Sequence, residues 1–184
     1  MAKLIHKVYG EALFEYAKEK NVIDTMLSDA EYINMFFGAS DELKDFLSNP
    51  RISEEDKKYT LYNIFKDKVS SAAIDYILLI CEKGRTKEIK LIFEYFYDLV
   101  LEYKNIFKVN ITSAKVIDDE KKNKLENKIV EVLKANGLKV DYNIDESLIS
   151  GYTIKIGDKV FDNTIKNRIN DIRLSLRGLK LWQI

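Results

Sequence analysis

The sequence predicts a mainly α protein, with an N-terminal six-helix bundle over residues 1–105 followed by a small α+β domain over 106–184. Three observations predict it. A single proline, Pro50, and seven glycines leave long stretches without a breaker. Apolar residues recur at helical spacing from residue 3 to about 105. Near 106 the period shortens to two, and Phe107, Val109 and Ile111 alternate with Lys108, Asn110 and Thr112 as in a half-buried strand.

The elements follow in order. Leu4, Val8, Ala12, Leu13, Tyr16 and Ala17 spread apolar groups over about half of a first helix. Ile23, Met26, Leu27, Ala30, Ile33 and Phe37 stripe a second. Ser40 caps a short third helix that Asn49-Pro50 stops. Ser53 and Asp56 form a capping box, with the shorter Asp in place of Glu, ahead of Leu61, Ile64 and Phe65. Ser70 or Ser71 caps a fifth helix that ends at Gly84. A sixth runs from about Thr86 to Tyr103, with Ile89, Ile92, Phe93, Phe96 and Val100 on one side. After the first strand, Asp118 caps a helix carrying Leu125, Ile129, Val132 and Leu133, which Asn136-Gly137 ends. Leu138, Val140, Tyr142 and Ile144 alternate as a second strand. Tyr152, Ile154 and Ile156 make a third, Gly157-Asp158 turns the chain into a fourth, and Asp162, Asn163 and Thr164 supply cap oxygens for a last helix. No Pro- or Ser-rich linker separates the two regions.

Composition narrows the function. Thirty basic and thirty acidic side chains cancel, so no overall field draws the chain to nucleic acid or an anionic surface. The lone cysteine, Cys81, excludes an internal disulfide and fits a reducing compartment. The N-terminal segment carries charges throughout and lacks the run of a signal peptide, and no stretch nears ~20 apolar residues. A soluble protein is expected, with any membrane association made through a partner and no direct insertion.

Chemistry-bearing patterns are missing. His6 is the only histidine and stands in a charged helix start, which suits a surface residue better than a catalytic base. Zinc takes about four Cys or His ligands, and the chain has two such residues in all. No phosphate-loop motif occurs, and Gly157-Asp158-Lys159 reads as a hairpin turn. Asp118-Asp119-Glu120 fits cap and dipole groups better than a cation site. No catalytic residue, cofactor or metal is expected, and an enzyme ranks behind a contact protein.

Two surfaces invite contact. The fifth helix is apolar on nearly every side, with Ala73, Tyr76, Ile77 and Ile80 on one stripe and Ile74, Leu78 and Cys81 on another. Either it is the central helix, wrapped by its neighbours, or its second stripe is left over for an external helix. In the second case Ile5, Val8 and Ala12 of the first helix, with small Gly10 beside them, complete a groove with Ile74, Leu78 and Cys81. The last helix places Ile165, Ile169, Ile172, Leu176 and Leu179 on one side and Lys166, Arg173, Arg177 and Lys180 on an adjacent side. That basic stripe is either a solvated face or a dock for an acidic helical partner. Aromatic stacking groups do not accompany it, so nucleic acid is not the expected partner.

The segment Asp145–Asp162 resembles the C-terminal signature of the delta subunit of rotary ATP synthases, whose pattern runs roughly D-x-S-[LI]-[IL]-x-G-x-x-[IV]-[KR]-[IV]-G-D-x-[VI]-[IF]-D. Tyr9-Gly10-Glu11-Ala12-Leu13-Phe14 with Ala17 is similar to the family's opening, Glu82-Lys83-Gly84-Arg85 to its E-N-G-R helix ending, and Ile52 through Lys58 to its I-P-x-x-x-K segment with Ser53 replacing proline. Ser150 and Asn163-Thr164 depart from the family's glycines and Gly-Ser, and the tail Leu179–Ile184 has no counterpart in it. The resemblance implies a stator subunit, related to the mitochondrial oligomycin-sensitivity-conferring protein, that catalyses nothing itself. It implies one copy per complex, a bundle that binds the N-terminal helix of an alpha subunit, and a C-terminal part that binds the C-terminal region of the b stalk. It implies a place at the cytoplasmic face of a bacterial membrane, held there through the synthase. The alternative is a helix-binding adaptor of another assembly.

Overall fold

A computed structural model of the chain describes residues 2–148 and 150–164. Contacts divide it into two compact units, Met1–Tyr103 and Lys104–Ile184. The expected boundary after residue 105 lies two residues beyond this division.

Unit one is all helical: α1 (Ala2–Glu19), α2 (Ile23–Ala39), α3 (Asp41–Ser48), α4 (Glu54–Phe65), α5 (Ser71–Glu82) and α6 (Ile89–Tyr103), with a 3-10 turn at Thr86–Glu88 leading into α6. The start signals operate as the side-chain chemistry requires. Ser40 accepts the Leu43 N–H at 3.2 Å, and Ser70 the Ala73 N–H at 3.3 Å. Ser53 accepts the Asp56 N–H at 3.1 Å, and its hydroxyl donates to the Asp56 carboxylate at 2.6 Å. The shorter Asp thus closes its box on the Ser53 hydroxyl. At the end of α5, Gly84 takes a φ of 64°, its N–H bonds the Cys81 carbonyl at 2.8 Å, and the Arg85 N–H bonds Ile80 at 3.0 Å. This is a Schellman ending, and it accounts for a glycine in Glu-Lys-Gly-Arg.

The central element is α6, not α5. It packs on both α1 and α2, and Ile89, Ile92, Phe93, Phe96 and Val100 are fully enclosed. Gly10 of α1 lies against it, where a Cβ would meet the Tyr95 ring at 2.6 Å and the Ile92 carbonyl at 3.3 Å. The small residue therefore serves the α1–α6 contact within the bundle. Phe65 of α4 stacks on Phe37 and takes Phe36 and Tyr32 edge-on, which ties α4 to α2.

Unit two holds β1 (Ile106–Ser113), α7 (Asp119–Leu133), β2 (Gly137–Ile144), β3 (Tyr152–Ile156) and β4 (Lys159–Asp162). The sheet order is β2-β1-β3-β4, with β1 and β2 parallel and the other pairs antiparallel. Register puts Val109 beside Val140 and Ile156, and Ile111 beside Tyr142 and Ile154. These residues form one face, against which Leu125, Ile129 and Leu133 of α7 pack. The helix does not end on Asn136-Gly137: Lys134 adopts the left-handed conformation at φ 52°, and Gly137 already opens β2. Asn105 and Asn136 clamp the starts of the parallel pair, each side-chain amide donating to the other loop's backbone, at Lys134 and Lys104, at 2.8 and 2.9 Å. The last helix expected after Thr164 lies outside the described residues.

Candidate docking surfaces

Helices α1 and α5 are joined where the Tyr76 hydroxyl donates to the Tyr9 carbonyl at 2.6 Å. Burial pushes the Tyr76 hydroxyl's pKa well up, with Tyr9 adding to the effect, so the donor stays protonated. Around Tyr9, α1 presents Ile5, Val8 and Ala12 at helical spacing. Val8 is 56% exposed, Ala12 is exposed, and Ile5 is half-buried. Tyr16, one turn on from Ala12, continues the exposed stripe. The opposite side of α1, Leu13 and Ala17, is sealed in the core. The wide apolar surface of this helix is thus two faces, one used and one unused.

The α5 half of the expected groove is different. Ile74 is 8% exposed and Cys81 1%, while Leu78 is half-buried. Ile74 and Cys81 therefore cannot present a surface to another chain in the closed bundle. Helix α4 packs along α5, and its Glu54 and Lys58 lie near Cys81. Burial, with the nearby Glu54 carboxylate, pushes the Cys81 thiol up to about 11, so it is an inert core group. What α5 leaves outside is Leu79, 41% exposed, on the same side as half-buried Ala72 and Tyr76. The spacing 72, 76, 79 carried that signal, but a helix apolar all round does not say which stripe its neighbours take.

Sequence reading also missed a buried polar knot. Lys57 of α4 is almost fully enclosed and pairs with Glu54 at 3.0 Å, and the other Glu54 oxygen accepts the buried Thr86 hydroxyl at 2.7 Å. The Thr86 bond first, then the Lys57 bond, hold the Glu54 carboxyl below its ordinary 4.5. Asp29 is likewise buried, and it accepts both the Ser70 N–H at 3.1 Å and the Ser70 hydroxyl. Both knots fix where helices begin, and the Glu54 carboxylate at the centre of the first is half open to solvent. Among the described residues no group of three His, Cys, Asp or Glu is placed to hold a metal, and no helix is long and apolar enough to cross a membrane. The basic residues Lys166, Arg173, Arg177 and Lys180 lie outside the described residues.

A six-helix bundle with exposed apolar side chains on α1 and α5 is followed by a small mixed sheet, and this pairing of units is the class that the fold defines. The sequence places it further. Residues 5–176 match the family described as ATP synthase delta (OSCP) subunit, and the chain belongs to that family. The ATP synthase subunit delta of Lachnoclostridium phytofermentans is 36% identical over 181 residues, covering 98% of this chain and all of the relative. That of Acetivibrio thermocellus is 31% identical over 167 residues, covering 91% of this chain and 94% of its own. A chain in the cryo-EM structure of the Toxoplasma gondii mitochondrial ATP synthase hexamer shares the fold, with a TM-score of 0.74 at 16% identity, over 94% of this chain and 97% of that one.

Proposed function

We propose that this chain is a non-catalytic stator subunit of a rotary, proton-driven ATP synthase. It joins the catalytic head, through the N-terminal helix of an alpha subunit, to the C-terminal region of the peripheral b stalk. The observation that carries this reading is the family match across both units, from residue 5 to 176. The subunit's work is mechanical: it holds the head against the torque of the rotor by attachment at two places. It sits at the cytoplasmic face of a bacterial membrane through the complex, in one copy, and none of its own segments enters the bilayer.

The alpha helix lies along the α1–α5 seam, over Ile5, Val8 and Ala12 on one side and Leu78 and Leu79 on the other. The exposed apolar area there supports this site, because a helix laid in such a seam gains affinity from buried surface and register from its polar rim. Val8→Asp places a charge in the seam without touching the core, since Val8 already faces solvent. Titration calorimetry with a peptide of the alpha N-terminal helix should then show affinity falling about 100-fold or more, with unchanged circular dichroism. Unchanged affinity removes the seam as the site. The stalk is held by unit two, with Lys166, Arg173, Arg177 and Lys180 meeting acidic groups of b. Removing residues 165–184 should weaken binding of a b C-terminal peptide, and full retention would reassign the stalk contact.

A further inference from the structure

Of the thirteen asparagines in the chain, Asn136 alone is followed by glycine. The others precede residues whose side chains hinder attack by the next backbone nitrogen on the carboxamide. Asn136 sits in the bend between α7 and β2, exposed to water, and Gly137 is the first residue of β2. The fold does not ask for that glycine. Its φ is not positive, and the nearest atom an added Cβ would meet is Ile106 Cγ1, at an ordinary 3.7 Å. Asn136, by contrast, is used. Its side-chain amide donates to the Lys104 carbonyl at 2.9 Å, its backbone N–H bonds the Asn105 carbonyl at 2.9 Å, and the Asn105 amide donates to the Lys134 carbonyl at 2.8 Å. A structural amide thus stands directly before the residue type that makes it chemically labile.

We infer that Asn136-Gly137 is a self-modification site, at which the folded chain deamidates at a rate gated by the Asn105–Asn136 clamp. The Gly137 nitrogen gives up its proton to hydroxide and attacks the Asn136 side-chain carbonyl carbon. An N–C bond forms, the C–NH2 bond breaks, and ammonia leaves with a proton from water, so that a succinimide ring remains. Water then opens the ring at either carbonyl and gives isoaspartate or aspartate. The balance is amide plus water to carboxylate plus ammonium, with no oxidant or reductant. While the clamp is closed, the carboxamide is held toward Lys104, and opening of the α7–β2 bend releases it for ring closure. The product bears on unit two. A carboxylate then faces the Lys104 carbonyl, acceptor against acceptor, where a donor stood. Isoaspartate also adds a methylene to the backbone immediately before the Ile106–Gly137 pairing that starts the parallel pair. The conversion runs one way, so it acts as a timer on the start of β2. The inference stands without the stator reading, because it needs no partner.

Peptide mapping by mass spectrometry tests it, on the intact folded chain incubated at mildly alkaline pH, with a free peptide of residues 130–142 as the reference. Asn136 should convert before any other asparagine, about ten- to a hundredfold more slowly than in the peptide. Asn105→Gly keeps the left-handed backbone at φ 56° and removes one clamp amide, and it should speed the conversion several-fold. Gly137→Ala should leave Asn136 unconverted over the same period, with β1 amides as protected from exchange as before. Earlier conversion of another asparagine overturns the inference. So does a rate equal to the peptide's, which leaves the clamp no part, and so does an Asn136 intact after about a hundred peptide half-lives, which means the fold locks the site. Should Gly137→Ala fail to fold, the products in the unmutated chain decide the matter: isoaspartate together with aspartate marks ring closure through Gly137, and aspartate alone, the product of direct hydrolysis, sinks it.

Discussion

At the scale of single residues, Gly151 is the position with least freedom. Its φ is 100°, and an added Cβ would lie 2.8 Å from the Thr164 Cα and closer still to the Asn163 carbonyl. Both objections involve backbone, which cannot swing aside. Gly151→Ala should destabilise unit two by about 3 kcal/mol, read as lost exchange protection of β1 amides under mild urea. This explains why the family's pattern holds a glycine here while tolerating Ser150 and Asn163 at neighbouring places. Glu54 gives a pH effect with a definite sign. Its folded carboxyl titrates below 4.5, so its contribution is fully present above that value and is lost as pH falls through the lowered folded pKa. Glu82, held down by the Lys58 bond at 2.8 Å, acts in the same direction. Wild-type chain should therefore lose more of its urea midpoint between about pH 7 and about pH 3 than Glu54→Gln, which keeps an acceptor for Thr86 but cannot titrate. Equal losses would show that the bond network is indifferent to the charge.

At the scale of elements, the caps were the most legible feature. Ser40, Ser53, Ser70 and Asp118 each accept the N–H three residues on, because that geometry is local and needs no neighbour. The hairpin was legible for the same reason: Gly157 takes a φ of 57° at the first of two loop positions, as a II′ turn requires. Packing faces were less legible. Gly10 reads as room for a guest helix, but α6 fills that room. Ile74 and Cys81 read as surplus, but the closed bundle buries both. Ser70 shows the two levels meeting in one residue. It caps its own helix as the sequence implies, and it also docks on Asp29 of α2, a contact of long range that only the fold reveals. Asp29→Ala leaves both Ser70 donors short of a buried acceptor and should cost about 1–3 kcal/mol by urea unfolding.

At the scale of the whole molecule, each unit encloses its own apolar cluster, from Leu13 to Val100 in one and around Val109, Ile111 and Ile129 in the other. The fragment 1–103 should accordingly fold alone, giving a helical far-UV spectrum and a cooperative melt; a spectrum of unfolded chain would show that the bundle depends on the second unit. The sequence by itself determined the two kinds of architecture, the helix starts and the hairpin, and the family, because these rest on periodicity, on capping within three or four residues and on local motifs. Tertiary structure alone decided that α6 is the central helix, that α5 offers Leu79 and not Ile74 or Cys81, and that β1 lies between β2 and β3. Those outcomes depend on which neighbour reaches each apolar stripe first in space, and a stripe carries the same hydrophobicity whichever neighbour covers it.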